Sequence, residues 1–358
     1  MAGRQHGYVT SQGMILADRF AAAGFQVTSA SSSTNRYLRL LDIIVTLIRN
    51  WRAVDVQCLE VYGGPSFVVE DIASLLGRLL GQRIIMVLHG GALPDFMARY
   101  PRWTRRVLNR ADVIVTPTEY LARAVASYGF QAQVIPNVID PVEYPYRRRK
   151  HLSPRLLWMR AFHQLYNPQQ AVRVLARLIQ DVPAATLVMA GQDKGTQEEM
   201  VQLAKSLGVD GAVRFPGFLD PQAKAREGDA ADIFINTSSI DNMPVSIIEA
   251  CAMGLPVVTT NVGGIPDLLE DGESGMLVPP DDDELMVRAI HSLLEDPAMA
   301  ERLSSNGRLL AERSSWEEVR PQWEQLFTAV MTCGSYKKVE IFGCVAFAAS
   351  SVVTLLIP

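Results

Sequence analysis

Cysteine is scarce in this chain and poorly placed for covalent or metal chemistry. The four that occur, Cys58, Cys251, Cys333 and Cys344, form no C-x-x-C pair and no metal-ligand spacing. Neither a disulfide framework nor a thiolate metal site is expected, and reduced thiols fit a cytoplasmic protein. An excess of basic charge is also missing. The 34 Lys and Arg stand against 38 Asp and Glu, a net −4 that gives no global bias toward nucleic acid. The opening "MAGRQHGYVTSQG" is polar and Gly-rich, without the apolar run of a signal peptide. One long uncharged run stands at the other end, "IFGCVAFAASSVVTLLIP" (341–358), after Lys337 and Lys338. It is just long enough to span a bilayer. An anchor, a docked hydrophobic tail and a frame-altered end are the three readings open to it.

What the chain does have is alternation. At 358 residues and 48% hydrophobic content it is too long for one ordinary core and comfortable for two domains. "FQVTSA", "VDVQCLEV", "RIIMVLHG", "ADVIVTPT" and "AQVIPNV" read as strands in the first half, with helical stretches between them. "RLLWMRA", "ATLVMAG", "VRFPGF", "ADIFINT", "PVVTT" and "GMLVPP" repeat the pattern in the second. Strands alternating with helices imply an α/β class with two doubly wound, Rossmann-like parallel sheets. Asp140 to Arg155, rich in Pro and charge, reads as the linker. The expected domains are 1–145, 146–330 and an atypical hydrophobic tail, 331–358.

Chemistry concentrates in "SSIDNMPVSIIEACAMGLPVV" (238–258). An apolar strand, Ile233 to Ile235, precedes it. Pro244 suits the first turn of a helix, and Gly254 and Pro256 end that helix before the strand at Val257. Asp241 then sits in the loop at the carboxyl end of a strand, where open α/β sheets bind ligands. Glu249 lies about a turn and a half into the helix. The N–H groups of Val245 and Ser246 point out of the helix start and, with the helix dipole, form an anion site. Glu249 is left to accept from hydroxyls. A phosphorylated, hydroxyl-rich ligand fits this arrangement.

The run "DNMPVSIIEACAMGLPVVTTNVGGIPDLLEDGESGMLVPPDDDELMVRAI" resembles the C-terminal half of the family 4 retaining glycosyltransferases of the GT-B fold. That family carries an E-x(7)-E motif, a small-residue helix, a G-x-P-V-V strand and a G-G-I-P-E-like turn. The similarity extends more weakly from about Gly7 to about Val330. The resemblance implies that Glu249 holds the ribose of a sugar nucleotide and that Asp241, one methylene shorter than the family's Glu, contacts the transferred sugar. It implies backbone donors to the diphosphate at Val245 and Ser246, and a close-approach glycine turn at Gly263 and Gly264. His89, in "VLHGG", matches a histidine near the reacting sugar, and Arg160, in "LLWMRAF", an arginine facing the leaving diphosphate. Gly13 closes the Gly-rich loop "GYVTSQG" on the donor side. Two departures stand out. Tyr166 and Asn167 occupy the family's K-G place, leaving Lys194 in "GQDKG" as the candidate cation. No apolar strand precedes Gly7, so the N-terminal sheet is expected to lack its first, central strand.

Simpler readings stand beside these. Asp241 reads equally as a helix cap, Glu249 taken alone as a solvated helix position, and His89 as a buried, satisfied histidine. Asp281, Asp282 and Asp283 in "PPDDDELM" suggest a metal but read better as a helix start. Arg99, Arg102, Arg106 and Arg110 recur every three or four residues, with Arg105 beside them, and a helix would gather them on one face, either solvated or resting on anionic lipid headgroups. His151 and His163 receive no role. The expectation is a metal-independent hexosyltransferase with no cofactor beyond a UDP- or GDP-linked donor. Its acceptor is a hydroxyl, glycan or lipid-linked, in polysaccharide or glycolipid synthesis. The expected place is the cytoplasm, with peripheral contact to the inner face of the membrane. The alternatives are a non-catalytic nucleotide-sugar-binding homologue and a sugar-nucleotide 2-epimerase of the same fold.

Overall fold

The computed structural model describes residues 11–30, 36–54, 56–332, 339–344 and 351–357, and of residue 36 and the last two segments only the backbone. By contacts the chain divides into two units, one of 1–138 with 316–358, the other of 139–315. The sequence set the boundary at 145/146 and kept the last helix with the second domain. Instead that helix, α14 (Trp316–Thr332), returns to the first unit. Its Val319, Trp323, Phe327 and Val330 share a buried cluster with Phe20, Val56, Cys58 and Ile85.

The first unit runs α1 (Gln12–Ala22), β1 (Gln26–Ala30), α2 (Arg36–Arg49), β2 (Val56–Val61), α3 (Phe67–Leu79), β3 (Arg83–Leu88), α4 (Leu93–Arg99), α5 (Pro101–Leu108), β4 (Val113–Thr116), α6 (Glu119–Ala126) and β5 (Ala132–Val134). Strands β2 to β5 pair in parallel. All six residues of β2 are buried, as a strand covered on both faces requires. Two tail strands, β12 (Val339–Cys344) and β13 (Ser351–Ile357), lie between β1 and β2 in the sheet. Strand β12 runs parallel to β1, with Ile341 opposite Val27, and β13 antiparallel to β2, with Val352 opposite Leu59. Two strands of the expected atypical tail thus stand inside the first sheet. Residues 7–10 of "GYVTSQG" lie outside the described residues. Gly13 lies in the first turn of α1, whose N-cap Ser11 accepts from the Met14 N–H.

The second unit runs β6 (Arg155–Met159), α7 (Pro168–Asp181), β7 (Thr186–Ala190), α8 (Gln197–Ser206), β8 (Val213–Gly217), α9 (Pro221–Ala230), β9 (Ile233–Asn236), α10 (Val245–Ala252), β10 (Val257–Thr260), α11 (Ile265–Leu268), β11 (Met276–Val278), α12 (Asp283–Glu295) and α13 (Pro297–Glu312). Its sheet, in the order β11-β10-β9-β6-β7-β8, is parallel throughout. The chain winds outward from β6 through β7 and β8, then resumes at β9 on the other side of β6. The strand order therefore reverses between β6 and β9, and at such a switch the loops leaving two neighbouring strands part and open a crevice.

The segment read as a linker is fastened to this unit. Arg149 is fully buried and donates to the carbonyls of Gly228 (2.6 Å), Ala231 (3.1 Å) and Arg147 (2.9 Å), and to that of Met253. Burial, with Arg147 nearby, pulls its pKa down to about 10. A run of arginines looks solvated in a sequence because the carbonyls that receive them are distant in the chain.

Candidate active site

The two loops at the switch point carry the residues that sequence reasoning selected. Arg160 follows β6 directly, and Asp241 lies in the loop between β9 and α10. That loop is held from several sides. Thr237 Oγ1 donates to the Tyr166 carbonyl (2.8 Å) and accepts from Trp158 Nε1 (3.0 Å), while Thr260 Oγ1 donates to the Ser238 carbonyl (2.6 Å).

In this setting the Arg160 guanidinium donates to the Asp241 carboxylate and reaches Ser246 Oγ at 3.4 Å. Its Nε is buried with no acceptor among the described residues. Tyr166, at the place where the resemblance expected lysine, lies 4.0 Å from Arg160 Cζ by its ring centroid. The aromatic face therefore stabilises the arginine already present and brings no second cation. Lys194 sits exposed in the loop after β7, and its N–H donates to the Phe162 carbonyl (3.1 Å). The lysine is thus beside the loop that follows Arg160. Among the described residues its side chain makes no ion pair.

Asp241 does not cap α10. The cap residue is Pro244, in extended conformation, and no side chain caps the helix. The carboxylate instead accepts from Arg160, from the Asn242 N–H (2.9 Å) and from Ser238 Oγ (3.4 Å). Helix geometry leaves the Val245 and Ser246 N–H groups without intrahelical acceptors, and the guanidinium reaches the Ser246 side chain beside them. Gly263 is in left-handed conformation (φ 57°), and a Cβ there would stand 1.8 Å from the Asp241 carbonyl oxygen. The Gly264 N–H donates to that same oxygen (3.1 Å). The glycine turn thus approaches the Asp241 loop itself and fixes its position.

Glu249 is buried, at 5% exposure, and is not a solvated helix position. Its Oε1 accepts from Tyr144 Oη (2.8 Å), and both its oxygens from Lys224 Nζ (2.7 and 3.0 Å). Burial, with the carboxylate beside it, raises the Tyr144 pKa and keeps its hydroxyl a donor. Neither partner was visible in the sequence. Lys224, in "PQAKAREGDA", looks like any solvated helix lysine, and Tyr144 lies in the segment read as a linker.

The other candidates lie elsewhere. Asp282 is the N-cap of α12 and accepts from the Leu285 N–H (2.8 Å). Asp283 pairs with Arg173 (2.7 Å) and Asp281 accepts from Asn167 Nδ2 (2.6 Å). The helix-start reading of the acidic run therefore has its partners in place. His89 belongs to the first unit, just past β3. It is buried at 7% exposure and stacked on Tyr62, with Nε2 2.6 Å from Glu60 Oε2.

A family model described as "Glycosyl transferases group 1" matches residues 148–310, and one described as "Glycosyltransferase Family 4" matches residues 14–143. The chain is 31% identical over 200 residues to a glycogen synthase of Mycobacterium tuberculosis, a match covering 55% of this chain and 48% of that protein. It thus spans about half the length of that curated relative. The sucrose-phosphate synthase of Thermosynechococcus elongatus has the same fold, with a TM-score of 0.74 at 18% identity over 90% of this chain and 93% of that one. So does HepE of Anabaena in complex with UDP, at 0.68 and 20% over 82% and 84%.

Proposed function

This chain belongs to the family 4 glycosyltransferases of the GT-B fold, and from that premise we propose that it moves a sugar from a nucleoside-diphosphate donor to a hydroxyl acceptor with retention of configuration. One observation carries the reading. Arg160, Asp241, Ser246 and the start of α10 meet at the switch point of the second sheet, with the buried carboxylate of Glu249 farther down the same helix. Arg160 and the Val245 and Ser246 N–H groups receive the diphosphate and stabilise the charge it gains as the sugar departs. Asp241 accepts from hydroxyls of the transferred sugar, and Glu249 from those of the ribose.

In the step itself the bond from the anomeric carbon to the phosphate oxygen breaks. The acceptor oxygen bonds to that carbon on the same face, and the acceptor proton passes to the departing phosphate oxygen. No protein base is needed, so the protein contributes position and charge. His89 keeps its expected contact with the sugar, and Gly13, Gly263, Gly264 and Lys194 their expected places on the donor, as part of this proposal. The donor is UDP- or GDP-linked, no metal takes part, and the acceptor is a glycan or lipid-linked hydroxyl. The arginines of α5 bring the cytoplasmic protein to the membrane.

Tyr166 in the lysine's place favours a second reading, a homologue that binds the donor without turning it over. Donor hydrolysis in the absence of acceptor separates the two. Release of free sugar from UDP-glucose, or from another UDP or GDP sugar, supports the transferase. Binding of donor by calorimetry with no release under any acceptor supports the binding protein.

A further inference from the structure

Helix α9 begins after the loop that leaves β8, at the same end of the parallel sheet as the Asp241 loop. Asp220 caps it, accepting from the Ala223 N–H (2.7 Å), and Pro221 stands at its first position. Lys224 follows at the end of that first turn, with its ammonium on Glu249 of α10. The side chain of the lysine is 26% exposed and that of the glutamate 6%, so a ligand reaches the carboxylate past the lysine.

The hydrogen bonds of this pair leave a particular remainder. An ionised carboxylate has about four acceptor positions, two on each oxygen, and an ammonium has three donors. Oε1 is filled, by Tyr144 Oη (2.8 Å) and Lys224 Nζ (2.7 Å). Burial and the carboxylate raise the Tyr144 pKa, so its hydroxyl stays a donor and Oε1 stays occupied. Oε2 accepts from Lys224 Nζ alone (3.0 Å). One acceptor position on Oε2 and one ammonium N–H therefore stand side by side, with no partner among the described residues. An acceptor beside a donor complements two adjacent hydroxyls, one donating and the other accepting. Two hydroxyls that both donate to the carboxylate would have to displace Lys224 or Tyr144.

We propose that Lys224 is a ribose-binding residue. Glu249 Oε2 accepts from one hydroxyl of the ribose cis-diol and the Lys224 ammonium donates to the other, while Tyr144 keeps Oε1 occupied. This deepens the role given to Glu249 and rests on the nucleotide-sugar reading of the site.

Calorimetry on the full chain tests it, with UDP and GDP, the 2′-deoxy and 3′-deoxy forms of each, and inorganic diphosphate. The wild type should bind the ribonucleotide more tightly than either deoxy form. K224M, similar in length but uncharged, should weaken the ribonucleotide about tenfold and leave diphosphate unchanged. It should bind one of the two deoxy forms within about twofold of the wild type, because that form lacks the hydroxyl that Lys224 holds. K224R keeps a charged donor and should recover most of the loss. A loss of equal size on all the nucleotides, or on diphosphate as well, would make Lys224 a counter-ion of Glu249 alone and overturn the proposal. So would a K224R that binds no better than K224M. If K224M binds the ribonucleotide like the wild type, and the wild type still prefers it to the deoxy forms, this assignment falls and the nucleotide-sugar reading stands. A wild type that binds neither UDP nor GDP overturns both.

Discussion

Replacing Glu249 tests the ribose assignment most directly. Its oxygens are shared between Tyr144 and Lys224, the latter with its side chain about a quarter exposed. Glu249→Gln keeps the shape and an oxygen for Tyr144 but removes the charge. A hydrogen bond to a charged acceptor contributes about 1.5–3 kcal/mol and a neutral one about 0.5–1.5 kcal/mol, so each ribose hydroxyl loses about 1 kcal/mol. For one or two hydroxyls, UDP affinity should fall about 5- to 30-fold. The fold should survive. The partly exposed Lys224 can turn its ammonium to water, so the substitution leaves no uncompensated charge buried. Calorimetry with UDP and, in parallel, with inorganic diphosphate reads the result. Diphosphate should bind the variant as it binds the wild type, because its partners are Arg160 and the start of α10. UDP affinity that does not change, or a loss shared equally by UDP and diphosphate, would refute the argument.

Asp241→Asn should lower turnover while UDP affinity stays within about threefold; an equal fall in binding would make Asp241 a structural residue, clamped by Arg160 and the glycine turn. Transfer should persist in EDTA, since Asp282 caps α12 and Asp281 and Asp283 have partners of their own; manganese-restored activity would overturn this. Burial alone would raise the Asp232 pKa, but bonds from Arg155 and Arg147 and from the Ser153 N–H hold it below its ordinary value. A depressed folded pKa means stability that is present above the unfolded value and lost as pH falls through the folded one. Asp232→Asn should therefore cost about 1–3 kcal/mol at pH 7, and in denaturant titrations the gap should close below about pH 4. Removing residues 339–358 should unpair the flanks of β1 and β2. Hydrogen exchange at 56–61 should then rise while 233–236 stays protected, and equal protection with and without the tail would mean the sheet closes by itself.

The strands were legible because each carries its own signal. An apolar run such as Ile233-Phe234-Ile235, bounded by turn residues, reports burial on both faces whatever lies beside it. The loop position of Asp241 and the helical position of Glu249 followed from Pro244 and Gly254 in the same way, since backbone limits act within a few residues. The Asp282 cap was local too. What the sequence could not supply were pairings between distant positions. Lys224 and Tyr144 on Glu249, Tyr166 over Arg160, Gly263 against the Asp241 carbonyl, Arg149 among carbonyls, α14 against Phe20 and the tail strands beside β1 all join separate segments. Periodicity and propensity are properties of neighbours along the chain, whereas a carboxylate's partner is set by which strands lie side by side, and only the order of the folded sheets decides that.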